Sequence, residues 1–436
     1  MDTKTRSPLR ELIDGFVALK DVGRAFWVCN LVYFLDGAAY FGILNLLTLF
    51  VHRRVGLSDE WTGLTVSYFT GLVTFFSATL GGLSDRLGVR RTITLTTLLA
   101  LGGRVLLTIA PHAPFFPSVV ALFGLTFMAA AAGALIPACY AGVKQATTER
   151  SAAIGFSLLY ALMNGGIVVE SYASSLVRAR FGIDGVFWMC AMLTAAYLVI
   201  HWFAFPRREG GPVPRSLPTG NGSDSKKGWR SHALLNPRFQ FFIFVLLGVR
   251  TLFAHQWLTM PDYVTRAYPA AVGARFEWIT GLNPLIVLIG TPLLAGLTRR
   301  VHVVTMMIAG TLVSAAATFL LVPGPNLSML LGYQIVFSIG EALWSSRFLE
   351  YVADVAPPDQ VGVYMGVAQI PWFIAKFTTG FYSGFFLNRL CPPTGIQRTG
   401  TMWLVYAIFG MTTPIGLLMA RKWLIGGRIA ESEKSG

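Results

Sequence analysis

Apolar residues run through this chain in long unbroken blocks, not in the alternation of a strand or the one-sided stripe of a surface helix. Short segments rich in Gly, Pro and Arg separate the blocks. A helix rises about 1.5 Å per residue, so about 20 residues cross the roughly 30 Å hydrocarbon layer of a bilayer. Twelve blocks reach that length. The first six are Phe26 to Val51, Trp61 to Gly81, Thr92 to Ala110, Phe116 to Val143, Ala152 to Val177 and Val186 to Phe205. The second six are Phe239 to Met260, Trp278 to Leu297, Val303 to Val322, Ser328 to Val352, Val361 to Leu387 and Met402 to Ile425. Gly and Pro inside these blocks do not end them, because neighbouring helices and hydroxyl side chains can satisfy the freed backbone groups.

Between the sixth and seventh blocks the chain turns polar, with Arg, Gly, Pro, Ser and Lys through residues 206–238. That composition cannot bury a core and predicts a flexible linker. The expected organisation is an N-terminal segment (1–25), a six-helix bundle (26–205), the linker (206–238), a second six-helix bundle (239–426) and a tail (427–436). Within the first segment Leu9, Leu12, Ile13, Phe16 and Val17 fall at helical spacing against Arg10, Glu11 and Asp14. This suits a short helix lying on the membrane surface or an ordinary polar leader. Charges throughout residues 1–25 argue against a cleavable signal peptide.

Composition agrees with the blocks: 54% hydrophobic and 13% charged residues leave too little polar surface for a water-soluble globule of 436 residues. The predicted fold class is therefore an all-α integral membrane protein. Its 35 basic residues gather at both termini and in the even-numbered connections, including Arg86, Arg90, Arg91, Lys144, Arg150, Arg299 and Arg300. The opposite side holds only Arg53, Arg54, Arg178, Arg180, Arg266, Arg275, Arg389 and Arg398. The basic side is read as the cytoplasm, with both termini there, in a bacterial inner (cytoplasmic) membrane. Attraction to an anionic lipid surface then explains the net charge of +14 without nucleic acid.

Catalytic and cofactor chemistry find no support. Cys29, Cys139 and Cys190 lie in apolar blocks and Cys391 stands alone, so neither a zinc site nor a redox pair is expected. No phosphate-cradling Gly-rich loop and no metal-spaced His cluster occurs, and no nucleophile is paired with a base. No enzyme, metal or cofactor is predicted.

The candidate chemistry lies in ionisable residues inside the blocks: Asp36, Arg104, Glu170, Arg250, Glu341, Arg347 and Lys376, with Glu350 nearer an end. Each charge costs about 3 kcal/mol at the bilayer centre, so seven unpaired would cost roughly 20 kcal/mol. A fold holds only about 5–15 kcal/mol in reserve. The residues are expected to pair or to face a water-filled cavity lined by both signs of charge. For Arg104, Glu170 and Arg347 a static ion pair explains as much as a functional role, and Glu350 lies three residues from Arg347 on the same helical face. Glu341 falls mid-block, with Ser345 one turn on extending a polar stripe. Tyr33, Asp36 and Tyr40 share a face, as do Tyr160 and Asn164. Trp372 reads more simply as packing than as a ligand contact, and His255 as a packed histidine more simply than as a pH sensor.

One connection carries a recognisable pattern. Gly81-Gly82-Leu83-Ser84-Asp85-Arg86-Leu87-Gly88-Val89-Arg90-Arg91 resembles the signature of the major facilitator superfamily, Gly-x-Leu-x-Asp-Arg-x-Gly-x-Arg-Arg, between helices two and three. Val89 stands where that family usually has a base, and the corresponding loop of the second half, Gly296 to Arg300, has no Asp. The resemblance implies twelve transmembrane helices in two pseudo-symmetric bundles working by alternating access. It implies a gating turn of Gly81, Asp85, Arg86, Gly88, Arg90 and Arg91. Asp85 would hold the inner gate by facing a helix N-terminus, where a carboxylate gains about 0.3–1 kcal/mol. The three arginines read more simply as topology markers.

A second resemblance is more distant. Gly340-Glu341 with Ser345, Leu349-Glu350-Tyr351, Ala356-Pro357 and Met365-Gly366 is similar to helix ten and its exit in the proton-dependent oligopeptide transporter family. Asn283-Pro284 with Pro292, Leu159-Tyr160 through Asn164-Gly165-Gly166, and Tyr40-Phe41-Gly42 are similar to its helices eight, five and one. Departures stand beside these. Where the family has Glu-x-x-Glu-Arg-Phe the chain has Tyr33, Asp36, Gly37 and Ala38, and where it has Lys in helix four the chain has Ile136.

This resemblance implies a proton-coupled symporter of small peptides or similar zwitterions, with Asp36 and Glu341 as coupling acids. The substrate cavity would draw on Tyr33, Tyr40, Tyr160, Asn164, Arg250, Glu341, Ser345 and Lys376. Burial and a nearby base act oppositely on a carboxylate's proton. Protonating Glu341 or Asp36 is therefore expected to break a bridge to Arg250 or Lys376 and shift the bundles between outward-open and inward-open states. The partners expected are a small-molecule substrate, protons and the lipid bilayer, with the protein a monomer. Two alternatives remain open at this stage: a carrier or exporter of another small polar or amphipathic compound, and a non-transporting membrane sensor on a carrier scaffold.

Overall fold

The computed structural model of the chain describes residues 22–147, 149–206, 236–298, 301–355, 364, 367–368 and 370–425. The surface helix expected before residue 22, nearly all of the linker, the tail, Arg299-Arg300, Ala356-Pro357 and Met365-Gly366 lie outside the described residues.

Helices account for the described chain. In order they are α1 (Arg24–Phe50), α2 (Asp59–Leu80), α3 (Leu83–Leu87), α4 (Val89–Ile109), α5 (Pro117–Ala146), α6 (Glu149–Ala204), α7 (Pro237–Val245), α8 (Leu247–Leu258), α9 (Met260–Ala267), α10 (Ala270–Gly273), α11 (Phe276–Thr280), α12 (Leu282–Leu297), α13 (Val303–Ala317), α14 (Leu327–Val355), α15 (Ile370–Leu390) and α16 (Thr399–Met419). Eight stretches among the described residues are long and apolar enough to cross a bilayer. Large apolar side chains such as Phe203, Leu297 and Met419 are exposed on their outer faces, as lipid contact requires. The protein is an integral membrane protein.

Two expected spans are joined in α6. Its backbone leaves helical geometry at Gly182 (φ 71°, ψ −172°), and the chain resumes as helix beyond that point. A positive φ is open to Gly without the clash a Cβ would cause. The polar run Arg178 to Asp184, which reads as a loop, is thus a corner one residue wide. The seventh span is broken instead of joined. Between α7 and α8 the hydroxyl of Thr413 accepts from the N–H of Val249 (2.9 Å) and donates to the carbonyl of Val245 (2.7 Å). That bridge satisfies backbone groups which hydrocarbon could not. Asn236 caps the start of α7, its side chain accepting from the N–H groups of Arg238 and Phe239, with Pro237 at the first helical position.

The chain divides into two compact units. The first holds α1 up to Ile43 and the chain from Leu72 through α6. The second holds Leu44–Gly71 and the chain from α7 onward. Within each unit, one helix pair is drawn together by facing glycines. In the first, a Cβ on Gly103 of α4 would come within 2.7 Å of the Gly124 carbonyl of α5, and one on Gly124 within 2.8 Å of the Gly103 carbonyl. In the second, Gly310 of α13 and Gly340 of α14 meet the same way, at 2.9 and 2.8 Å. Small residues let membrane helices pack backbone to backbone. These pairs fall on spans three and four of one half and nine and ten of the other, a repeat that direct sequence comparison of the halves does not display. Replacing Gly103 with Leu is expected to force α4 from α5 and lower the detergent-solubilised melting temperature, whereas Gly102→Leu, with nothing within 4 Å, should leave it nearly unchanged.

Candidate functional site

The intramembrane charges sort by partner. In the first unit Asp36 of α1 and Arg104 of α4 form a buried ion pair, Nη2 to Oδ1 at 2.7 Å, with the two residues 5% and 2% exposed. Tyr197 of α6 donates its hydroxyl to the same carboxylate oxygen at 2.8 Å, and Arg104 also reaches Thr194. Here the structure corrects the expected bridge from Asp36 to Arg250 or Lys376. Those bases sit on α8 and α15 of the second unit, whereas Arg104 is packed against α1 within its own. Tyr40 lines a cavity of about 10 Å³ beside this pair, a volume on the scale of one water. Tyr33 turns away into apolar core and packs edge-on against Tyr140. Glu170 lies near Gly42 and Cys190, since a Cβ on Gly42 would sit 2.7 Å from its Oε1 and 2.9 Å from the Cys190 sulfur. Asn164 donates to the Tyr160 carbonyl of its own helix at 3.0 Å, and Tyr160 is 40% exposed.

In the second unit Glu341 of α14 has a neutral partner. The Asn283 amide of α12 donates to Glu341 Oε2 at 2.7 Å and to Ser338 Oγ at 3.0 Å. Ser338 donates to the Gln334 carbonyl, Gln334 to Gln256, and Gln256 to the Tyr333 hydroxyl. The polar stripe therefore runs back from Glu341 through Ser338 and Gln334, away from Ser345. Among the described residues Glu341 makes no ion pair, so the expected bridge from Glu341 to Arg250 or Lys376 is absent as well. Both bases lie against rings. Arg250 is 4.5 Å from the Phe348 centroid, and Lys376 is 4.8 Å from Trp372 and 5.6 Å from Trp257. Arg347 takes the local partner its spacing offers, Glu350 at 2.6 Å. His255 is a packed histidine, stacked on Tyr406 at 3.7 Å and hydrogen-bonded to Thr259 and Tyr382.

The signature turn is built in the first unit. Gly88 adopts φ 82° and ψ 154°, a region closed to residues with a Cβ, and ends α3. Asp85 is exposed in the first turn of α3 and has no side-chain partner among the described residues. Arg86 and Arg91 are exposed. Arg90 is taken up in packing against α6, with its guanidinium 5.7 Å from the Trp202 ring and bonded to the Trp202 carbonyl.

One constellation escaped sequence reasoning. Arg266 of α9 holds Asp59, at the start of α2, with two parallel bonds of 2.8 and 2.6 Å, and also holds Asp262 at 2.8 Å. Bidentate pairing of this kind is the strongest form of the contact. Burial works against the Arg266 charge, yet the hydrogen bond to Asp59 and the two carboxylates raise its pKa above the ordinary arginine value. His52 Nδ1 lies 3.5 Å from Asp59. The four-residue spacing of Asp262 and Arg266 was the available signal, but nothing local points to Asp59.

The family model described as the Major Facilitator Superfamily matches residues 29–377, more than half of the chain. The chain belongs to the Major Facilitator Superfamily. As a member of this superfamily it is a membrane transporter, not an enzyme, and its signature residues take the family's place between spans two and three. It is 23% identical over 396 residues to YttB, an uncharacterized MFS-type transporter of Bacillus subtilis (strain 168), covering 87% of this chain and 91% of that protein. It is 22% identical to a dipeptide and tripeptide permease A of Erwinia pyrifoliae, covering 95% and 96%. Among solved structures, an auto-inhibited POT family peptide transporter superposes with a TM-score of 0.75 at 17% identity, covering 92% of this chain and 97% of that one. The superposition shows that the superfamily chain has the same fold.

Proposed function

We propose that the chain is a secondary transporter working by alternating access, taking up small peptides or similar zwitterions together with protons. The observation that carries this reading is Glu341, a carboxylate at membrane depth whose hydrogen-bond partner among the described residues is a neutral amide. A membrane-buried charge is costly, and here a proton or a substrate ammonium can neutralise what no cation among the described residues does. Similarity across nearly the whole chain to a dipeptide and tripeptide permease supports the substrate class. In this reading residues 26–205 and 239–426 are the two moving six-helix bundles, and Asp85, exposed and without a side-chain partner among the described residues, is available to gate. Arg266 with Asp59 and Asp262 ties the second unit together on the side opposite the basic loops. The protein acts as a monomer in a bacterial inner membrane with both termini cytoplasmic.

The deciding experiment reconstitutes the full chain in liposomes carrying an internal pH dye. Di- and tripeptides are expected to acidify the lumen, and free amino acids are not. A second reading, export of amphipathic compounds, draws on the Trp257, Trp372 and Phe348 rings around Arg250 and Lys376. Proton movement with such compounds alone would favour it.

A further inference from the structure

Arg250 and Lys376 are intramembrane cations without a carboxylate partner among the described residues. Arg250, on α8 and 4% exposed, spends one donor on the Ala368 carbonyl at 3.3 Å and otherwise lies against Phe348 and Trp372. Lys376, on α15, has its ammonium 4.8 Å from the Trp372 centroid. Two like charges thus converge on one indole, and neither makes an ion pair among the described residues. A cation over a ring gains about 0.5–2 kcal/mol, less than the roughly 3 kcal/mol each charge costs at membrane depth. Two other intramembrane cations have acids beside them, Arg104 with Asp36 and Arg347 with Glu350.

Aromatic rings link these bases to α14, the helix that carries Glu341. Phe253 of α8 packs between Phe337 and Trp344 of α14 on one side and Trp372 on the other. Glu341 lies on α14 seven residues before Phe348, the ring under Arg250. Seven residues rise about 10 Å along a helix, and three extended residues span about 10 Å.

We propose that Arg250 and Lys376, converging on Trp372, form an anion subsite that holds the carboxylate end of a peptide two to three residues long. The orientation of that peptide rests on the zwitterion uptake proposed above, with Glu341 taking the ammonium end. The anion subsite itself is a claim about α8 and α15 alone.

Tryptophan fluorescence of the full chain in detergent micelles reads the subsite directly, because Trp372 and Trp257 adjoin it. The probes are trialanine, its C-terminal amide, N-acetyl-trialanine and sodium sulfate. Lys376→Gln is expected to weaken N-acetyl-trialanine and sulfate by about tenfold or more, the scale of one lost charge-assisted bond. The amide should bind it as it binds the wild type. Lys376→Arg should restore binding, and Arg250→Gln should repeat the loss. Glu341→Gln should do the reverse, weakening the amide and sparing the acetylated peptide. Equal binding of acetylated peptide and sulfate to wild type and Lys376→Gln overturns the subsite, as does failure of both to bind the wild type. If no peptide binds but sulfate does and depends on Lys376, the peptide reading fails and the anion subsite stands.

Discussion

Arg104→Ala is expected to destabilise the first unit by about 3–5 kcal/mol, the usual cost of removing one partner from a buried ion pair. Most of that cost comes from Asp36, left at membrane depth with the Tyr197 hydroxyl as its remaining contact among the described residues. The attraction lost is smaller, because burying the two charges offset much of it from the start. Asp36→Asn removes the other half and leaves Arg104 with Thr194 and Tyr197, so it should cost less. The double variant Asp36→Asn/Arg104→Ala should be more stable than the two single effects sum to, by at least about 1 kcal/mol, because contacting residues are not additive. Thermal unfolding in detergent, read as a double-mutant cycle, gives the coupling. An additive cycle would mean that the pair does not hold α1 to α4. The same double variant separates packing from coupling: transport driven by a proton gradient should survive it if Asp36 is only a tie between helices, and disappear if Asp36 carries the proton.

Glu341→Gln is expected to abolish accumulation while sparing exchange. A gradient of one pH unit is worth about 1.4 kcal/mol per proton and concentrates a co-transported substrate about tenfold per proton moved. Gln keeps the shape of Glu and can still bond Asn283, but its amide has no acid proton to carry. Concentrative uptake into proteoliposomes should therefore fall from about tenfold to about onefold, while counterflow of labelled substrate continues because it needs only binding and reorientation. Retention of accumulation would exclude Glu341 as the coupling acid; counterflow is measured at saturating substrate, because Gln holds the ammonium end more weakly, and its loss there would mean that Glu341 is needed for reorientation itself. Asn283→Ala gives a check that leaves the acid intact. It frees Glu341 of its amide donor and should shift the pH dependence of uptake without uncoupling it.

The two variants act on residues that the sequence showed to be costly but could not pair. Spans were legible because the bilayer imposes a length and an apolarity on each helix, and both are properties of a contiguous stretch. The signature turn was legible for a related reason: Gly88 adopts a backbone angle a Cβ would forbid, so its identity records a local geometry. Arg347 and Glu350 were readable because three residues of helix bring them onto one face. In all these cases the physics is local to the chain.

What remained hidden depends on which helix packs beside which. Asp36 finds Arg104 68 residues away, Glu341 finds Asn283 58 residues away, and Asp59 finds Arg266 207 residues away. No spacing rule reaches across such distances, and in lipid every base is an acceptable partner for every acid until packing decides. The paired glycines of α4 with α5 and α13 with α14 fix two of those neighbours by letting backbones touch. By itself, then, the sequence determined that this chain crosses a membrane in many helices and carries ions it can ill sustain there. Tertiary structure alone decided that Asp36 is matched, that Glu341 meets an amide, and that Arg250 and Lys376 meet rings and, among the described residues, no acid, because a charge's partner is set by the helix beside it and not by its neighbours in the chain.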